Sequence, residues 1–141
     1  MSDTETRTVT VERDFAFPPA KLWRALTQPH LIAEWLMEND FQPKIGHQFK
    51  LRGDWGGVLD CEVLVLEPEK TLSYSWDYAP GGGSAVMKTV VVFTLAPTSA
   101  GTHLRVEQSG FDPANKQALG GATFGWRKFL GNLEQTLEKL P

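Results

Sequence analysis

Polar and apolar residues alternate from Thr8 to Phe17. Val9, Val11, Phe15 and Phe17 fall on one side and Thr8, Thr10, Glu12 and Asp14 on the other. A period of two with β-branched residues predicts a strand. Arg13 shares the apolar phase of that strand. Pro18-Pro19 stops it, and proline is accepted in the first turn of a helix. Leu22, Trp23, Ala25 and Leu26 then recur at helical spacing, and a second short helix is expected after Pro29 with Leu31, Ile32 and Trp35. Met37 to Lys44 reads as a loop.

Four short strands follow in a meander, about Gln48–Arg52, Val58–Leu66, Thr71–Tyr78 and Val86–Leu95. Gly53–Gly57, Glu67-Pro68-Glu69 and Pro80-Gly-Gly-Gly83 supply the turns. A turn with Pro97 and Gly101 leads to a last strand, His103–Ser109, with Leu104 and Val106 inward. After Asp112-Pro113, the residues Trp126, Leu130, Leu133, Leu137 and Leu140 form one apolar stripe at helical spacing. Gly120, Gly121 and Gly125 soften the start of that helix.

These elements predict an α+β domain. A curved antiparallel sheet of about six strands carries two short helices, and a long C-terminal helix packs across it. Residues 1–7 are expected to be a flexible N-terminus and 8–141 a single domain. The 141 residues, 41% hydrophobic and 22% charged, fit one globular core.

The formal net charge of −3, with mixed signs, argues against a nucleic-acid binder and a polybasic membrane anchor. No apolar run reaches the ~18 residues of a membrane span. The polar start, Met1 to Arg7, has no apolar core of a secretory signal, so a cytoplasmic setting is expected. Cys61 is the single cysteine, which rules out an internal disulfide and multi-thiolate metal sites. His30, His47 and His103 are widely separated, and no metal or cofactor is expected.

Aromatic residues are the richest chemical signal. Trp35, Phe49, Tyr74, Trp76, Phe93, Phe124 and Phe129, with Leu51, Val63, Val91 and Val106, are candidates to line a cavity between sheet and long helix. The same residues would equally serve to fill a solid core. Arg13 either clamps a polar point of a ligand or covers the core with its stem, with Glu107, Gln108 or Asp77 as partners. Asp60, Glu62, Glu107 and Tyr74 are the candidates for acid–base chemistry, and no catalytic residue is assigned. Cys61 reads as a small buried hydrophobe in phase with Val63 and Val65. Trp55, on a glycine-flanked loop, reads as a contact or lid residue.

The order of elements resembles the helix-grip superfamily of START-like and Bet v 1-like domains. The local motifs resemble its branch of Hsp90-ATPase-activator-like (AHSA1-like) proteins. Val11-Glu12-Arg13 through Phe17-Pro18-Pro19-Ala20-Lys21-Leu22-Trp23 resembles that family's opening strand, turn and first helix. Glu34-Trp35, Ile45-Gly46-His47-Gln48-Phe49, Leu72-Ser73-Tyr74-Ser75-Trp76 and Gly125-Trp126 with Phe129-Leu130 resemble later motifs in the same order. His47 stands where the family usually has a second glycine. Val106-Glu107-Gln108-Ser109-Gly110-Phe111 has no histidine before Gly-Phe, where many members carry one. The resemblance implies a small hydrophobic or aromatic molecule, lipid- or polyketide-like, as the partner. Its alternatives are a chaperone or other protein, in a stress-response role, or an enzyme using the same cavity.

Overall fold

The computed structural model describes residues 7–53, 56–78 and 87–140. Trp55, the Pro80–Gly83 turn and the expected strand start at Val86 lie outside the described residues. The chain runs β1 (Arg7–Phe15), α1 (Pro19–Thr27), α2 (Pro29–Trp35), β2 (Glu38–Asn39), β3 (Gln48–Arg52), β4 (Val58–Glu67), β5 (Thr71–Tyr78), β6 (Met87–Thr98), β7 (Gly101–Phe111) and α3 (Lys116–Lys139). The described strands form one curved, unclosed antiparallel sheet in the order β1-β7-β6-β5-β4-β3-β2. The first strand thus pairs with the last, and α1 and α2 carry the chain from one sheet edge to the other.

Seven strands stand where about six are expected. The extra one, β2, is a two-residue edge strand pairing Glu38 with Arg52 and Asn39 with Leu51, inside the segment read as a loop. Its hydrophobicity is too low for alternation to show it. β1 ends at Phe15, two residues before the expected boundary, and β7 starts at Gly101 and runs to Phe111.

β4 departs from strict alternation. Leu59, Cys61 and Val63 are buried in phase, but the register shifts between Val63 and Val65, pairing Val63 with Tyr74 and Val65 with Ser73. Val65 is therefore 36% exposed rather than inward. A bulge of this kind resets the side-chain phase of everything after it.

α3 is continuous through its glycines. Asn115 caps it by accepting from the Ala118 N–H at 3.1 Å. Trp126, Leu130, Leu133 and Leu137 of its stripe are buried, while Leu140 follows the last helical residue and is half-buried. The helix packs on β1, β7, α1 and α2. Trp35 ties the short helices to this core. Its indole N–H donates to the Ala25 carbonyl at 2.8 Å, and its ring meets Phe93 edge-on at 6.2 Å.

Candidate functional site

A connected series of rings runs between the inner face of the sheet, the loop after β2 and α3. Phe41, Phe49, Tyr74, Phe93, Trp126 and Phe129 touch in turn, with centroids 5.1 to 5.8 Å apart. Trp76 joins at 5.3 Å from Trp126. At the Phe41 end the rings are packed solid. Phe49, Tyr74 and Phe93, with Leu51, Val63, Val91 and Val106, belong to the closed core. Burial pushes the Tyr74 phenol well above its usual range, and Cys61 adds to the shift. Burial, then the charges of Asp77 and Asp60, likewise push the Cys61 thiol up.

At the other end, the packing opens. A cavity of about 330 Å³ lies between the sheet and the first half of α3. Trp76, Met87, Gln108 and Phe111 form its floor. Ala118, Gly121, Ala122, Gly125, Trp126 and Phe129 form its roof, and Met37 closes one side. Ala118, Gly121, Ala122 and Gly125 make the roof small at four of its six positions, which leaves space beneath the helix. Gly121, itself exposed at the cavity's edge, has no neighbour within 4 Å of where a side chain would begin.

The floor depends on one glycine. In a regular strand, Gln108 and Phe111 would face opposite sides, being three residues apart. Both are buried on the inner face, because the β1–β7 register slips between Arg7 and Thr8, and Gly110 takes up the extra residue. Its φ of +107 is in the left-handed region, and a Cβ there would stand 2.7 Å from the Lys88 carbonyl oxygen.

The polar groups of this cavity form one chain. The Trp126 indole N–H donates to Gln108 Oε1 at 2.8 Å. Gln108 Nε2 donates to Thr89 Oγ1 at 2.9 Å, and the Thr89 hydroxyl donates to the Trp76 carbonyl at 2.7 Å. Among the described residues, no titratable side chain lines the cavity.

A second depression, of about 680 Å³, adjoins the first and shares Met37, Gly125 and Phe129 with it. Trp35 and Phe124 line it, together with the charged residues Glu34, Glu38, Arg52 and Lys128. Phe124 is 72% exposed here, on the outside of α3.

The candidate residues from the sequence therefore separate. Trp76 and Phe129 line the cavity, Trp35, Phe124 and Phe129 its charged neighbour, and the remaining aromatics fill the core. Met37, Met87, Gln108 and Phe111 complete the cavity, and the aromatic pattern of the sequence does not point to them. Arg13 pairs with Glu134 of α3 at 2.8 Å, instead of with Glu107, Gln108 or Asp77. Asp60, Glu62 and Glu107 sit on the outer sheet face, where Lys50 pairs with Asp60 and Arg105 with Glu107. His103, also on that face, lies between Glu12 and Asp14 at 2.8 and 2.7 Å.

Sheet, gripping helix and an apolar space between them define the class: a helix-grip domain of the START/Bet v 1-like kind. Residues 16–138 match the family described as Activator of Hsp90 ATPase homolog 1-like protein, and the chain belongs to that family. The crystal structure of MLL2253 from Mesorhizobium loti is similar at 59% identity and TM-score 0.89, over 96% of this chain and 99% of that one. BH1534 from Bacillus halodurans is similar at 25% identity and TM-score 0.78, over 93% and 96% of the two chains. DynU16, of the dynemicin biosynthetic locus, shares the fold at 24% identity and TM-score 0.82 over 94% of this chain, which spans 47% of DynU16. No curated protein matches the chain.

Proposed function

We propose that the protein binds a small apolar or aromatic molecule in the cavity between the sheet and the first half of α3. The observation that carries this reading is a space of about 330 Å³ walled by Trp76, Phe111, Trp126 and Phe129 around one chain of polar groups. Ligand pockets ordinarily combine concave apolar walls with a few placed polar groups, and their volumes start at ~300 Å³. The family's fold supports the same reading. The small-residue roof of α3 is costly for the helix, since a glycine in a helix interior loses about 1 kcal/mol relative to alanine. Two of these glycines, Gly121 and Gly125, border the cavity.

Native mass spectrometry of the protein purified from its own host tests this reading. A bound small molecule that is lost on Gly121→Leu substitution is the expected result. A wild-type mass free of ligand, together with no uptake of any apolar aromatic compound, would refute it.

A further inference from the structure

Gln108 is 2% exposed, and the tasks of its amide are fixed by its neighbours. An indole N–H can only donate, so the atom facing Trp126 at 2.8 Å must be the amide oxygen. The NH₂ group then faces Thr89 Oγ1, whose hydroxyl proton is already directed to the Trp76 carbonyl. Thr89 therefore receives one amide N–H. The second is left with Met87 Sδ at 4.0 Å, and a thioether is a weak acceptor. Gln108 and Met87 both line the cavity. Every other donor of this polar chain has a good acceptor, so the one poorly used donor facing the cavity is this N–H.

The walls add a second constraint. Among the described residues that line the cavity, none carries a charge. An anionic group held among these walls would meet no counter-charge, because Arg52 and Lys128 belong to the adjoining depression.

We infer that Gln108 is a specificity-determining residue that selects neutral ring compounds bearing a carbonyl oxygen. The oxygen takes the N–H that now meets Met87, and the ring frame fills the space among Trp76, Phe111, Trp126 and Phe129. This rests on the cavity being a ligand site. A site that offers a buried donor rejects the analogue lacking the acceptor, because the donor is then left unsatisfied.

The test compares 1-tetralone with tetralin, which has the same ring frame and no acceptor. Affinities are measured by calorimetry on the wild type and on Gln108→Glu, at a pH where burial keeps the introduced carboxyl neutral. A neutral carboxyl still accepts from Trp126 and donates to Thr89, but offers no second proton to the cavity. The ratio of ketone to hydrocarbon affinity is expected to fall by about three- to tenfold in the variant, the worth of one hydrogen bond. Tetralin binding should stay within about twofold. Met87→Leu keeps the polar chain and removes the competing sulfur, so it should raise the ratio. A ratio unchanged in both variants overturns the inference while leaving the cavity a ligand site. Failure of the wild type to bind either compound overturns this inference, and the cavity reading falls with it if no other apolar aromatic compound is taken up.

Discussion

The indole N–H of Trp126 donates to Oε1 of Gln108 at 2.8 Å, joining the long helix to the last strand through a buried polar contact. Removing the acceptor leaves that N–H buried and unpaired. Gln108→Leu is therefore expected to cost about 1–3 kcal/mol of stability. Trp126→Phe in the same background should recover part of the loss, since it deletes the stranded donor. Urea denaturation of the two single variants and the double variant measures this. Strictly additive losses would contradict the coupling.

Gly110 holds Gln108 and Phe111 on the same face. Gly110→Ala must place a Cβ 2.7 Å from the Lys88 carbonyl oxygen at a φ of +107. The expected loss is about 1–3 kcal/mol, the usual range for a strained backbone position. It should come with weakened uptake of apolar compounds, because the cavity floor tilts with the bulge. Thermal melts and a binding titration check both parts.

The roof glycine Gly121 separates stability from binding. Nothing lies within 4 Å of its added Cβ, so Gly121→Ala should stabilise the helix by up to about 1 kcal/mol. Gly121→Leu keeps most of that gain and occupies the cavity, so ligand uptake should fall at least tenfold. Loss of fold in the leucine variant would show that the helix lies closer to the sheet than this geometry gives.

His103 provides a pH signature on the outer sheet face. Hydrogen bonds to Glu12 and then Asp14 raise its pKa above the usual histidine value of 6.5. A raised folded-state pKa means that the contribution is complete below about pH 6.5 and lost as pH climbs through the raised value. His103→Gln should lower stability slightly and evenly below about pH 6.5, leave the alkaline side little changed, and so flatten the profile through that neutral-to-alkaline window. The effect is small, since the side chain is about one-third exposed. Denaturant midpoints between pH 5 and 9 provide the check.

The apolar stripe of α3 was legible in the sequence because its period is local and unbroken from Trp126 to Leu137. The meander was legible for the same reason. The cavity was less so. Gln108 shares the inward phase of Leu104 and Val106, so a buried polar residue could be read there, but its partners Thr89 and Trp126 come from two other elements. Phe111 and Val65 lie beyond bulges, where alternation carries no information about facing. The Arg13–Glu134 pair joins residues 121 apart, and only the crossing of α3 over β1 creates it. Which aromatic rings border open space and which fill the core depends on the small residues of the facing helix, not on the rings themselves.

The most direct measurement is a ¹⁵N–¹H correlation spectrum of the indole groups during titration with tetralin. Trp76 and Trp126 border the cavity, while the Trp35 indole N–H is held by the Ala25 carbonyl in the packed core. Saturable shifts of the Trp76 and Trp126 indole signals, with the Trp35 signal still, are the expected result. Trp76 and Trp126 indole signals that do not move, or a shift of the Trp35 signal alone, would contradict a ligand site beneath the long helix.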